Sequence, residues 1–121
     1  MKDENAITSL AQKIKNTLVH LIGEDESEVI KELVQTYKND TQELMQSLRE
    51  AVANRDLNTI TWATHTIKSS SSNLGANQLA ELAYTLEEFG KAGDISMLST
   101  QLIQLEAEYE FVCLALQRFN D

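Results

Sequence analysis

Residues 57–76, LNTITWATHTIKSSSSNLGA, contain the clearest periodic pattern in the chain. Apolar and small residues recur in this stretch at intervals of three and four, which is the spacing of one face of an α-helix. They are Leu57, Ile60, Ala63, Thr64, Ile67, Ser71 and Leu74. Because successive residues are rotated by about 100° in a helix, His65 lies almost opposite the centre of that face. The stretch therefore predicts a helix that packs on a core with one side and presents a histidine to solvent with the other.

A lysine and small polar side chains accompany this histidine on the predicted exposed side. Lys68 and Ser69 follow His65 by one helical turn, and Ser72 follows it by two. An imidazole exposed among small side chains is accessible to a large partner, and an ammonium one turn away can approach an anion bound to the ring. The arrangement favours a group that is passed from one protein to another.

The residues from His65 to Ala76 also resemble the signature of histidine-containing phosphotransfer (HPt) domains of bacterial multistep phosphorelays, which reads roughly His-x-Leu-Lys-Gly-Ser-Ser-x-x-Leu-Gly-Ala. The histidine, the lysine three positions later, the run of small residues and the closing Leu-Gly-Ala all match. Ile67 replaces the usual leucine, and Ser69 stands where glycine is usual. Further matching positions are Leu79, Leu82, Leu86, Glu87 and Gly90. As helix lengths and order, the resemblance extends over nearly the whole chain.

The resemblance implies a phosphocarrier that relays a phosphoryl group between receiver-domain aspartates through a phosphohistidine at His65. Lys68 and Ser72 are then expected beside the phosphoryl group, where an ammonium and a hydroxyl can contact its oxygens. Gly75 is expected to end the helix rather than to contact a ligand. The residues expected at the docking surface for the partner are Thr61, Trp62 and Ser69. For Trp62 two interpretations stay open at this point: it packs over the neighbouring helix, or it forms an apolar part of the docking surface.

The expected partners are the receiver domains of response regulators and of a hybrid histidine kinase. Transfer between an aspartate and a histidine relies mainly on positioning and charge neutralisation, and the resemblance implies that the receiver supplies the aspartate and Mg²⁺. We therefore expect this chain to bind no cofactor or metal of its own. We also expect a monomer, because the chain supplies a helical bundle by itself. A helical module that binds signalling partners without being phosphorylated is the alternative function.

Other functional classes lack their characteristic residues. No glycine-rich phosphate-binding loop is present, so an enzyme or autokinase that uses ATP is not expected. A di-metal bundle requires Glu-x-x-His pairs, but Thr17 and Trp62 stand three residues before the two histidines. In the dimerisation bundle of a histidine kinase, an acid follows the histidine and a proline lies nearby. Here Thr66 follows the histidine, and the chain has no proline.

The second histidine and the acidic clusters are interpreted as structural or solvated. His20 lies in the first predicted helix and has no neighbours comparable to those of His65. Glu87 and Glu88 are interpreted as part of a solvated face. No acidic residue is therefore expected to orient the imidazole of His65.

Composition indicates the fold class and the cellular compartment expected for the chain. A chain of 121 residues with no proline and only four glycines predicts a single all-α domain over residues 1–121. Its formal net charge of −9 disfavours binding to nucleic acid or to an anionic membrane. The single cysteine, Cys113, cannot form an internal disulfide, and the apolar stretches are too short to span a membrane. We therefore expect a cytoplasmic protein.

Glycines and capping residues predict the helix boundaries. All four glycines, including Gly90, are interpreted as breaks between helices. The first helix is predicted over residues 5–21, and the fourth over residues 77–89. The caps predicted for the other three helices are Asp25 (paired with Glu28), Asp56 and Asp94. Short connections predict that the last four helices form an up-down antiparallel four-helix bundle over about residues 25–119, with the first helix across one end or side.

Overall fold

The computed structural model describes residues 3–120, and within this range the chain is almost entirely helical. The α-helices are α1 (Glu4–Ile22), α2 (Ser27–Asn54), α3 (Leu57–Leu74), α4 (Asn77–Ala92) and α5 (Leu98–Leu116), and short 3₁₀ helices span Ile95–Met97 and Gln117–Asn120. No strand occurs among the described residues, so the predicted all-α class is confirmed. No helix in this range is long and apolar enough to cross a membrane. The single domain over residues 1–121 stays a prediction, since residues 1, 2 and 121 lie outside the described part.

Four of the helices form a bundle around one core. α3 packs between α2 and α4, and α5 packs between α4 and α2, so these helices close into a ring. Because the connections are short, each helix runs back along the previous one. Fully buried side chains of the core include Met45, Leu48, Ile60, Ile67, Leu79, Leu86, Leu105 and Leu116. α1 lies mainly along α5, where Ile7 and Ala11 pack with Phe111 and Ala115. The predicted bundle with an additional N-terminal helix is confirmed.

Two of the three predicted caps are not formed as expected. Asp56 does cap α3, since its carboxylate accepts hydrogen bonds from the backbone N–H of Thr59 at 3.2 Å and from the Thr59 hydroxyl at 2.6 Å. The prediction for Asp25 was wrong. The turn after α1 extends to residue 26, so α2 begins at Ser27 and Asp25 does not cap it. The carboxylate of Asp94 accepts from the Ser96 hydroxyl at 2.7 Å, so the chain first forms a 3₁₀ turn and α5 begins four residues later.

Gly90 lies inside α4 and does not break it, which corrects the sequence-based prediction. Its position is set by packing between helices. A Cβ atom at this residue would lie 3.2 Å from Cγ2 of Ile60 and 3.3 Å from Oγ1 of Thr61, both on α3. The missing side chain therefore lets α4 approach α3 closely, about one turn from His65.

Gly75 ends α3 as predicted. Its φ of 94° lies in the left-handed region, and its N–H donates to the carbonyls of Ser71 and Ser72. A Cβ atom here would also lie 2.7 Å from Oγ1 of Thr17, so the glycine leaves room for α1 beside the end of α3.

Substitution of Gly75 should therefore be more costly than substitution of another left-handed glycine. Gly93, with φ of 70°, is the matched control because its nearest outside atom would be 4.0 Å from a new Cβ. Both Gly75→Ala and Gly93→Ala should lose about 1–2 kcal/mol for the left-handed backbone, and only Gly75→Ala should lose more through the clash with Thr17. Urea denaturation measures both. The extra loss should shrink in a Thr17→Ala background, and equal losses for the two glycines would contradict the close approach of α1.

Candidate functional site

The rotation of α3 about its axis places His65 on the outside of the bundle. The side chain of His65 is 61 % exposed, whereas Ile60, Ala63 and Ile67 on the opposite face are fully buried. A polar contact also holds the buried face of α3 against α2. The hydroxyl of buried Ser71 lies 2.8 Å from the hydroxyl of Tyr37 on α2. Burial raises the pKa of Tyr37, with the hydrogen bond to Ser71 opposing the shift, so its phenol stays protonated and able to donate.

Glu87 on α4 orients the imidazole. Its side chain is only 2 % exposed, and its Oε2 atom lies 3.0 Å from Nδ1 of His65. A carboxylate has no proton to give, so Nδ1 must carry the hydrogen of this bond. In the neutral ring the remaining nitrogen, Nε2, then has the free lone pair. The contact therefore selects one tautomer and directs the nucleophilic edge of the ring away from Glu87.

The same carboxylate also binds two lysines. Its Oε1 atom accepts a hydrogen bond from Nζ of Lys68 at 3.0 Å, and Nζ of Lys91 lies 3.5 Å from Oε2. Burial raises the pKa of Glu87, but the hydrogen bonds from Lys68 and His65 and the charges of the two lysines outweigh it, so this pKa is held below its ordinary value. Glu87 is therefore ionised at neutral pH and holds two cations near the exposed ring.

Two open hollows lie on this surface of α3 and α4, one lined by His65 and the other by Lys68, one helical turn further on. The first, called the Trp62 hollow, is lined by Leu57, Asn58, Thr61, Trp62, His65, Glu87, Gly90 and Lys91. The second, called the Ser69 hollow, is lined by Lys68, Ser69, Ser72, Asn73, Asn77, Ala80, Glu81 and Tyr84. Trp62 is 58 % exposed, so most of its surface is available to a partner rather than packed over α4.

The residues predicted for the site divide between the two hollows, and only the Trp62 hollow is lined by His65 itself. The second histidine, His20, lies in neither. Thr61 and Trp62 line the first hollow, and Ser69 and Ser72 line the second. His20 lies in the last turn of α1, outside both hollows. Within residues 3–120, no group of three or more His, Cys, Asp or Glu side chains is arranged to hold a metal ion.

Comparison with known protein families identifies the family of the chain. The family model described as Hpt domain matches residues 32–113, which is more than half of the chain. The chain belongs to the Hpt domain family. Its function is histidine phosphotransfer in phosphorelays, in which Hpt domains interact with receiver domains.

A solved structure has the same fold as this Hpt domain. The crystal structure of histidine-containing phosphotransfer protein B (HptB) from Pseudomonas aeruginosa PAO1 aligns with a TM-score of 0.72 and 24 % sequence identity. The alignment covers 98 % of this chain and 90 % of that one. Among curated proteins, none matches the chain significantly.

Two residues of the site were missed by the sequence analysis. Glu87 was predicted to be solvated, and no acid was expected to orient His65; both predictions were wrong. A signal was present, because Glu87 lies four residues after Ala83 and three before Gly90, on the buried side of α4. Lys91 follows Glu87 by one turn and was missed with it. Their proximity to His65 depends on the packing of α4 against α3, which no spacing within one helix reveals.

Replacement of Glu87 tests whether its charge stabilises the fold. Because the pKa of Glu87 is lower in the folded than in the unfolded chain, its contribution is present above the unfolded value of about 4.3 and is lost as the pH falls through the folded value. At pH 7, Glu87→Gln should lower the free energy of unfolding by about 1 kcal/mol, a value reduced by the partial exposure of the lysines.

Glu88→Gln is the matched control, because it removes the same charge at the next, exposed position of α4. In urea denaturation, the loss of unfolding free energy for Glu87→Gln should exceed that for Glu88→Gln by more at pH 7 than at pH 3.5, because the pKa of Glu87 is lowered in the folded chain. If the difference in unfolding free energy between the two variants does not change with pH, a stabilising role for the Glu87 charge is contradicted.

Proposed function

We propose that His65 carries the phosphoryl group of this Hpt domain, on its Nε2 atom, between the aspartates of receiver domains. The observation that carries the proposal is the 3.0 Å contact between Nδ1 of His65 and the buried carboxylate of Glu87, because it leaves Nε2 as the free nucleophile. The family match is further support, since residues 32–113 include His65 and leave out His20.

The proposed transfer needs no proton to move. The lone pair on Nε2 attacks the phosphorus of an aspartyl phosphate, the N–P bond forms, the P–O bond to the aspartate breaks, and the aspartate leaves as a carboxylate. The ring keeps its Nδ1 hydrogen and gains positive charge, which the ionised Glu87 stabilises at 3.0 Å. Onward transfer to a second receiver reverses these steps, and the neutral ring is restored.

Cations beside the ring are proposed to neutralise the phosphoryl oxygens. Lys68 and Lys91 lie on either side of the Glu87 carboxylate, and Ser72 lines the same hollow as Lys68. Each lysine has a flexible side chain whose ammonium can turn from the carboxylate toward a new anion. The receiver is proposed to bring the Mg²⁺, which adds the remaining neutralisation of charge in the transition state.

The docking surface is proposed to be the pair of hollows, with Thr61, Trp62 and Ser69 in contact with the receiver. An exposed tryptophan beside the reacting group is the type of side chain that contributes most to protein interfaces. We propose that the partners are receivers of response regulators and of a hybrid histidine kinase, and that the protein acts as a cytoplasmic monomer. It serves as a phosphocarrier without an ATP site, since the chain has no glycine-rich phosphate loop.

Transfer from a labelled receiver domain tests the phosphorylated residue. His65→Gln should lose all label while keeping its helical content, because the side chain is exposed and its removal does not open the core. His20→Gln is the matched control and should be labelled as the wild type is. The label should be stable in base and labile in acid, and ATP with Mg²⁺ alone should give none. Label that persists on His65→Gln would overturn the assignment.

A bulky side chain at Ser69 tests the docking surface. Ser69 is exposed, so Ser69→Arg should fold normally, yet the longer side chain should exclude a receiver that covers the Ser69 hollow. We expect the transfer rate to fall at least about tenfold, equivalent to 1.4 kcal/mol. Ser9→Arg, at an exposed position on α1, adds the same charge away from the site and should transfer normally. Normal transfer by Ser69→Arg would show that the receiver docks elsewhere.

A further inference from the structure

Lys68 is held in place by two different contacts from α4. Its Nζ atom lies 3.0 Å from Oε1 of Glu87 and 5.1 Å from the centroid of the Tyr84 ring. The second distance is within the range of about 6 Å at which an ammonium is attracted to an aromatic face. Glu87 follows Tyr84 by three residues, so both groups project from the same side of α4. The Lys68 side chain is accordingly only 30 % exposed, compared with 54 % for Lys91.

From these contacts we propose that Tyr84 is a positioning residue for phosphoryl transfer, because its ring holds the Lys68 ammonium beside His65. The inference rests on the proposed function of His65 and adds a residue on which that function depends. Tyr84 is 49 % exposed, so the packing of the core does not require an aromatic ring at this position. The ring lines the Ser69 hollow together with Lys68, on the side of the site where the proposed phosphoryl group is neutralised.

An aromatic ring is better suited than a second carboxylate to hold the Lys68 ammonium beside His65. Glu87 already shares its charge among His65, Lys68 and Lys91, so its hold on any single cation is divided. The face of the Tyr84 ring attracts an ammonium through its quadrupole without carrying a net charge. It can therefore limit the motion of Lys68 and yet not repel an incoming phosphoryl group. A lysine ordered in advance loses less conformational freedom when it binds the phosphoryl oxygens.

The lifetime of the phosphohistidine tests this role without a receiver. Phosphoramidate is the probe: Nε2 attacks its phosphorus, the N–P bond to His65 forms, the P–N bond of the reagent breaks, and ammonia leaves after taking up a proton from water. The reagent is then removed, and the loss of phosphate to water is followed by phosphorus NMR. Because no receiver is present, an effect of Tyr84 on docking cannot contribute to the measurement.

Three variants separate the ring from the rest of the side chain. Tyr84→Leu should shorten the phosphohistidine lifetime, because an ammonium held on the phosphoryl oxygens stabilises the phosphorylated ring against attack by water. The expected factor is about two- to fivefold, the size of an exposed cation–aromatic contact. Tyr84→Phe should keep the wild-type lifetime, because it retains the ring. Tyr84→Gln gives a second ring-free variant in case the leucine variant aggregates, and it should resemble Tyr84→Leu. A shortened lifetime in Tyr84→Phe as well, or in none of the three, would overturn the proposal.

A Lys68→Ala background shows whether Tyr84 acts through the lysine. Lys68→Ala alone should shorten the lifetime at least as much as Tyr84→Leu, and adding Tyr84→Leu to it should change nothing further. A further loss in the double variant would overturn the proposal, because Tyr84 would then act by another route. The site of labelling is mapped first in the wild type. A wild-type protein that carries no label on His65 would overturn the proposed function and this inference with it. Normal label on His65 together with an unchanged lifetime in Tyr84→Leu would overturn the inference alone.

Discussion

The buried carboxylate of Glu87 is the contact on which the site depends, because it joins α4 to two side chains of α3. An ionised group with 2 % of its side chain exposed is costly to bury unless it is paired, and here Nδ1 of His65 and Nζ of Lys68 each lie 3.0 Å from one of its oxygens. The pairing therefore stabilises the charge and sets the orientation of the ring at the same time. A shift of α4 along α3 would break both hydrogen bonds together.

Close packing of the two helices makes this contact possible. Gly90 follows Glu87 by three residues and brings α4 against Ile60 and Thr61 of α3, where a methyl group would already be crowded. On the far side of α3, buried Ser71 contacts Tyr37 of α2, so the helix is held from both sides. The exposed imidazole is thus supported by rigid elements, as the transfer proposed for His65 requires.

The charge around the site differs from that of the whole chain. The chain has a formal net charge of −9, yet Lys68, Lys91 and the imidazole of His65 all gather around the single carboxylate of Glu87. An anion that approaches the ring therefore meets two ammonium groups close by, whereas much of the remaining surface repels it. This local excess of cations at an open surface supports the proposal that His65 receives a phosphoryl group and releases it again.

The sequence by itself determined the features that arise within one helix. The all-α class, the cap at Asp56 and the end of α3 at Gly75 follow from local hydrogen bonding, and the placement of Lys68 one turn after His65 follows from helix geometry. Only the tertiary structure decided what α4 contributes, namely the contacts of Glu87 and Tyr84 and the role of Gly90 inside the helix. Glu87 is separated from His65 by 22 residues, so their contact depends on the distance and register between two helices. Side-chain packing sets this distance and this register, and neither can be predicted from the periodicity of one helix alone.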